Sequence, residues 1–430
     1  MTGAKAPGGL PALFISTAVS GDIARNLGVA HYSYNFAAAR FRTLLAQDFP
    51  ALRDLVMPEY YATRAAMPAP PAGEWLHLIF RSTGEIRLLK PAWNIACFAW
   101  EFPVLKTETL PGEAPTANQA GMLNSCDEVW VASQFARNVL QSHGVARVHV
   151  VPAPISRPKV PGRAACLRLL AGLPVTQLRV NPAWPDALAE AEARAGETTL
   201  DAALRQFSAR AVLFLAILNP EDARKNLDAL IRGFHCHRQE YPDSLLLLKL
   251  IRGGDGITLA EVAGGILRTA LGPGTALADP GILICNAFLS EPEMTALYGA
   301  APFYLCTSIA EGQNLPLLEA MICEAVAVST TGTAMDDYLS ADCAIPIAST
   351  ARPNDDPRLA GLVAGRNFTV ARASATDVAH ALNRARQLSV PARERLAHAG
   401  REQVARLYGP AAVRARITDR LRGLGIAPST

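Results

Sequence analysis

The sequence predicts an α/β protein built from two doubly wound halves, and three observations carry that expectation. Apolar runs of strand length alternate with helix-length amphipathic stretches, the pattern of parallel sheets covered on both faces. The alternation lapses near Ala153 and restarts at Ala211. The 430 residues suffice for two domains of ordinary size, each with its own core.

In the first half, Leu13–Ser16 reads as a strand, followed by a Gly-containing loop from Ser20 to Gly28 and a helix over Tyr34–Leu45. Trp75–Phe80, Asn94–Trp100 and Asp127–Ser133 are further strands. The last leads into a helix at Gln134–His143, and Val148–Pro152 closes the half. From 156 to 209 prolines cluster and an Ala/Glu-rich stretch covers Asp186–Arg194, which reads as a linker with an inserted helix, a spacer rather than a lid. The second half opens with the strand Ala211–Leu218, then a helix at Asn226–His237 and a strand at Ser244–Leu250. Helices at Glu261–Ala270 and Glu291–Gly299 flank the strand Gly281–Cys285. The strand Val326–Thr330 follows later, and Ser374–Leu424 is helical, broken at Pro391 and Pro410.

Composition narrows the function. Half the residues are hydrophobic and 18% are charged, so the chain is globular rather than disordered. A net charge of +3, with no base-stacking or zinc motif, argues against nucleic acid as a partner. None of the eight cysteines forms a C-x-x-C pair and several sit in apolar runs, as expected of buried thiols in a reducing cytoplasm. No apolar run reaches the roughly 20 residues of a membrane span, and the N-terminus lacks a signal-peptide core. A cytoplasmic location is expected, compatible with peripheral membrane contact.

The most informative segment runs from Ser308 to Met321. Pro302–Thr307 reads as a buried strand, and Pro316 suits the first helical position. Glu311 then falls in the loop after the strand and Glu319 in the first helical turns. Backbone N–H groups from Gly312 to Leu317, lacking intrahelical partners, make an anion site at the helix start. Two carboxylates beside it suit a ligand carrying hydroxyls as well as phosphate, because ionised carboxylates accept hydrogen bonds from hydroxyls. A sugar nucleotide has both. The spacing alone also fits a solvated helix start with a capping carboxylate.

Other segments point the same way. Arg224 and Lys225 form a basic pair at a helix start, suited to a diphosphate and equally to a solvated face. Asn286 and Phe288 bracket the end of a strand, where Phe288 also reads as core. Glu101 stands at the C-terminal end of a strand, where open α/β sheets expose ligands. It either holds or deprotonates an acceptor hydroxyl, or belongs to a Trp-Glu-Phe loop anchor. Asp127 and Glu128 read as structural, and Asp336 and Asp337 as an acidic helix start.

Glu311 and Glu319, with seven residues between them, resemble the Glu-x7-Glu signature of retaining family-4 glycosyltransferases, which have the GT-B fold of two Rossmann-like domains facing across a cleft. The resemblance spans residues 10 to 423 and is strongest from Val212 to Tyr338. It implies that Glu311 meets the transferred sugar, that Glu319 holds the nucleotide ribose, and that the backbone of Gly312, Gln313, Asn314 and Leu315 holds the diphosphate. The Arg224-Lys225-Asn226 segment matches the family's phosphate-binding lysine, which makes Lys225 catalytic and Arg224 its assistant. Asn286 and Phe288 fall at the nucleobase, and Asn94–Pro103 resembles a segment of polysaccharide-building members, with Glu101 on the acceptor side.

Three departures stand out. Gly312-Gln313-Asn314 replaces the commoner Gly-Phe-Gly, Asn219 stands where many members have an arginine, and Glu324 and Val326 stand where Gly and Pro are common. The implied domains are 10–155 for the acceptor, 156–209 as linker and 210–402 for the donor nucleotide, with a C-terminal helix at 403–424 crossing back to the first. The implied activity is retaining transfer of a sugar, a mannosyl or glucosyl group, from a nucleoside-diphosphate sugar to an acceptor hydroxyl in bacterial polysaccharide or glycoconjugate synthesis. The acceptor is a carbohydrate or lipid-linked glycan, and neither a metal nor a cofactor beyond the donor is required. The alternatives are a sugar-nucleotide epimerase and an inactive sugar-nucleotide-binding partner protein on the same fold.

Overall fold

The computed structural model describes residues 12–17, 32–49, 52–56, 75–89, 92–178, 197–208, 211–251, 281–363 and 365–424. Expected elements at Ser20–Gly28, Asp186–Arg194 and Glu261–Ala270 lie outside these residues. Two compact units emerge, one of residues 1–156 and 406–430, the other of residues 157–405.

The first unit is a parallel sheet of β1 (Ala12–Thr17), β2 (Arg53–Val56), β3 (Trp75–Phe80), β4 (Trp93–Phe98), β5 (Glu128–Val131) and β6 (Val148–Val150). The spatial order is β2-β1-β3-β4-β5-β6. Every residue of β3 is buried, which explains why its sequence shows an apolar run instead of alternation. Helix α1 (Tyr32–Leu45) sets Phe41 against Phe80 and Trp130, ring centroids 5.2 and 6.4 Å away. Helix α2 (Gln119–Asn124) precedes β5, and α3 (Gln134–Ser142) follows it, capped by the Ser133 hydroxyl.

The chain's C-terminal helix, Pro410–Gly423, belongs to this unit and buries Val413, Ile417 and Leu421. Arg414 Nη1 lies 3.0 Å from Asp48. Arg420 pairs with Oε1 of Glu128, which is 2% exposed, while Oε2 accepts from Trp130 Nε1 at 2.9 Å. Glu128→Ala should therefore cost on the order of 3 kcal/mol, the low end for breaking a buried pair, because Arg420 keeps some solvent. Amide exchange in Val413–Leu421 would report it as faster opening. Unchanged protection would remove Glu128 as the anchor.

The second unit holds an eight-stranded sheet in the order β14-β13-β12-β9-β10-β11-β7-β8. Its parallel body is β9 (Val212–Leu218), β10 (Ser244–Leu250), β11 (Ile282–Cys285), β12 (Phe303–Cys306), β13 (Val326–Thr330) and β14 (Ala344–Ile347). On one face Phe214, Leu246, Leu248 and Val328 pack with Phe234 of α6 (Leu227–Glu240) and with Val378 and Leu382 of α10 (Ala375–Gln387). A Cβ on Gly233 would lie 2.5 Å from Val378 Cβ, so this helix pair closes only over glycine. On the other face Tyr298 of α7 (Glu291–Ala300) packs on Tyr304, centroids 6.4 Å apart. Helix α8 (Leu315–Ile322) follows β12, and α9 (Pro357–Leu362) lies in sequence between the antiparallel strands β15 (Thr350–Pro353) and β16 (Thr369–Arg372). The long α11 (Val390–Tyr408) carries the chain out of this unit.

The described residues of the segment read as a linker are instead part of this fold. Strands β7 (Pro174–Gln177) and β8 (Glu197–Thr199) extend the sheet, β7 antiparallel to β11 and β8 antiparallel to β7. Val160 and Cys166, the latter in α4 (Arg163–Leu169), press on α7 so closely that a Cβ at Gly299 would lie 2.5 and 2.8 Å from their side chains. The short α5 (Leu200–Leu204) buries Leu200 and Ala203. Buried Val175, Leu178 and Leu200 make integration more favourable than a solvated spacer.

Candidate functional site

After β9 the chain turns at Asn219, whose Oδ1 accepts from Glu221 N at 3.0 Å. A single 3₁₀ turn, Ala223–Lys225, follows. Asn226 (φ 51°) then adopts the left-handed conformation and separates that turn from α6. The basic pair therefore precedes α6, as the expected helix start at Asn226 implies, and the 3₁₀ turn itself sets its position. Ile309 N donates to Arg224 O at 2.7 Å, Thr307 Oγ1 to Lys225 O at 2.8 Å, and Asn226 Nδ2 to Ala373 O at 3.0 Å. Two separate segments, the loop after β12 and the chain at Ala373, thus clamp this backbone.

The two cations differ. Arg224 forms a fork with Asp222, Nε to Oδ1 at 3.0 Å and Nη2 to Oδ2 at 2.7 Å. Burial alone would raise the Asp222 carboxyl, but the guanidinium outweighs it and holds it below the usual carboxylate range. Lys225 Nζ lies 2.5 Å from Glu311 Oε1, with side chains 18% and 8% exposed. Burial pushes this ammonium down, and Glu311 more than reverses that, so it stays charged. Each cation therefore has a carboxylate partner before any ligand arrives.

Glu311 is held through its backbone, its N–H donating to Thr333 Oγ1 at 3.0 Å and its carbonyl accepting from Ala334 N at 3.2 Å. Asn314 (φ 62°) caps α8. Its Oδ1 accepts from Leu317 N at 3.4 Å, and its Nδ2 meets Cys306 Sγ at 3.2 Å. Helix α8 starts at Leu315, one residue earlier than expected, and Pro316 has no N–H to offer. The amides able to meet an anion are thereby narrowed to Gly312, Gln313, Asn314 and Leu315. Tyr338 Oη donates to Gln313 O at 3.2 Å and braces the same loop.

Glu319 lies in the second turn of α8, and its Oε2 accepts from Tyr298 Oη at 2.5 Å. Asn286 follows β11. Its buried Oδ1 has no hydrogen-bond partner among the described residues. Phe288 is 54% exposed, so it is not core.

Glu101 belongs to the first unit. The loop anchor there is made by its neighbours, for Trp100 and Phe102 are buried with rings 5.7 Å apart, and Trp100 Nε1 donates to Val104 O at 3.0 Å. Glu101 itself is partly exposed. Tyr34 Oη accepts from Ala99 N at 3.2 Å, and its phenol is held above the ordinary range by burial and then by the Glu101 charge. Asp127 accepts from Asn94 N at 2.7 Å, a structural bond like those of Glu128.

The structure thus joins Lys225 directly to Glu311 and places Arg224 one residue away, with Asn219 in the turn that precedes theirs. One contributor escaped the sequence reading, Tyr298. A tyrosine on an apolar helix face needs a partner for its hydroxyl, which was a usable signal, though not one that names Glu319.

No family model matches the chain, and no curated protein matches it by sequence. Solved structures do match by shape. Sucrose-phosphate synthase from Thermosynechococcus elongatus aligns with a TM-score of 0.59 at 15% identity, over 96% of this chain and 99% of that one. The E. coli trehalose-6-phosphate protein bound with UDP-2-fluoro glucose aligns at 0.56 and 12%, over 95% and 98%. Against Staphylococcus aureus TarM the TM-score is 0.48 at 9% identity, with 80% of this chain covering 55% of that one. The first two carry the fold: this is the α/β GT-B fold of glycosyltransferases, with Rossmann-like parallel sheets.

Proposed function

We propose that the chain is a retaining glycosyltransferase that moves a sugar from a nucleoside-diphosphate sugar to an acceptor hydroxyl in polysaccharide or glycoconjugate synthesis. The observation that carries this reading is the 2.5 Å contact between Lys225 and Glu311 beside the amides of Gly312–Leu315. An ammonium and a row of amides suit the departing diphosphate, whose oxygens gain charge as the glycosidic bond breaks. A carboxylate at the same spot suits the sugar's hydroxyls. Glu319, one helical turn into α8, suits the ribose, and Phe288 offers an exposed ring where the base would stack. Arg224 serves indirectly by shaping the turn with Asp222, and Glu101 in the first unit is assigned to the acceptor. No residue in this scheme calls for a metal, and the sugar nucleotide is the only small-molecule partner besides the acceptor. Among the described residues no helix is long and apolar enough to cross a membrane.

The test is to incubate the protein with UDP-, GDP- and ADP-sugars, using thermal shift to find the donor. The linkage formed on sugar acceptors would then be read by NMR. Product with the donor's anomeric configuration supports the reading. An inverted product, or an altered nucleotide sugar released without acceptor, would contradict it.

A further inference from the structure

We infer that Tyr298 is a positioning residue that sets the rotamer of Glu319 and thereby the protein's preference for a ribose over a deoxyribose nucleotide. The inference rests on the reading of Glu319 as the ribose-binding carboxylate. Tyr298 is 3% exposed on α7, and its hydroxyl donates to Glu319 Oε2 at 2.5 Å. Burial, and then the Glu319 charge, hold its phenol well above the ordinary range, so it remains a donor at all working pH values. The neighbouring Tyr304 does not share the task, for its hydroxyl faces Ile217 O at 3.4 Å.

The physical argument is one of restraint. A glutamate has three side-chain torsions, and ordering each of them costs entropy. A buried phenol bound to one oxygen removes that freedom before ligand arrives, which lowers the ordering cost of binding. A carboxylate has about four acceptor positions. Tyr298 takes one, and the vicinal hydroxyls of a ribose meet a carboxylate whose orientation is already fixed. The phenol comes from a helix 21 positions before Glu319, so the contact depends on how α7 and α8 both pack on β12.

The experiment is calorimetry with UDP and 2′-deoxy-UDP, and with the matching GDP and ADP pairs, on the wild type, Tyr298→Phe, Glu319→Gln and the double variant. The pair that binds the wild type most tightly is the one scored. The wild type should prefer the ribonucleotide roughly tenfold. Glu319→Gln should erase that ratio, and Tyr298→Phe should reduce it several-fold. Adding Tyr298→Phe to Glu319→Gln should change the ratio no further, a coupling that a merely structural tyrosine would not show. If Glu319→Gln erases the preference while Tyr298→Phe keeps it, Tyr298 does not position the carboxylate. If Glu319→Gln keeps the preference, the ribose reading of Glu319 falls and takes this inference with it. Should Tyr298→Phe fail to fold, Tyr298→His supplies a replacement donor. A preference kept by Tyr298→His supports the inference, and one lost as fully as in Glu319→Gln overturns it.

Discussion

Lys225→Met should damage stability and binding together, and only a second substitution separates the two. The methionine leaves the buried Glu311 carboxylate without its 2.5 Å partner. Breaking one side of a buried pair costs about 3–5 kcal/mol. Lys225→Met/Glu311→Gln removes both charges and should regain most of that stability. It should not regain affinity for a nucleoside diphosphate, because the charge-assisted contact to phosphate, worth about 1.5–3 kcal/mol, is gone. Thermal melts and calorimetry on both variants check this. A double variant that binds the diphosphate as tightly as the wild type would remove Lys225 from the site.

Acid should destabilise the first unit through one histidine. His77 is fully buried, with Nδ1 2.9 Å from Asn94 Oδ1 and Nε2 2.9 Å from Ser16 Oγ. Asn94 Nδ2 donates to Leu89 O and Ala92 O, which makes Oδ1 the acceptor. His77 Nδ1 therefore carries the proton, and Nε2 accepts from Ser16. The ring is neutral, and burial lowers its pKa to about 4 from 6.5. Because the unfolded chain takes up this proton first, stability is complete above about pH 6.5, falls as the pH drops towards 4, and levels off below. The loss is about 3 kcal/mol in all. His77→Gln keeps a donor and an acceptor but cannot titrate, so its stability should be flatter across pH 4–7. Four of the five tryptophans, Trp75, Trp93, Trp100 and Trp130, lie in this unit, so tryptophan fluorescence reports on it. Identical pH slopes for variant and wild type would assign the acid sensitivity elsewhere.

How much of this was legible depended on whether a feature is local. Strands β9 and β10 were legible because a central strand buried on both faces reads as a near-continuous apolar run, broken in β10 only by Ser244 and Lys249. Glu311, Glu319 and Pro316 were legible because a loop and one helix start keep them in register. Strands β7 and β8 were not, since four and three residues among prolines carry too little pattern. The break between Lys225 and α6 turns on Asn226 entering the left-handed region, which asparagine tolerates without announcing it. Glu324 takes that same conformation (φ 69°) at the end of α8, where glycine is the usual signal, and pairs with Arg401 from α11. The partners of the two site glutamates, Lys225 and Tyr298, lie 86 and 21 positions away, distances that only the packed sheet closes.

The central claim is that Glu311 serves the sugar and Glu319 the nucleotide. Calorimetry of bare nucleoside diphosphates with Glu311→Gln and Glu319→Gln at pH 7 tests it most directly. Glu319→Gln should weaken the bare diphosphate roughly tenfold through the lost ribose contact. Glu311→Gln should leave that affinity unchanged or raise it, because the carboxylate that competes with phosphate for Lys225 has been removed. Equal losses in the two variants would contradict the assignment of roles.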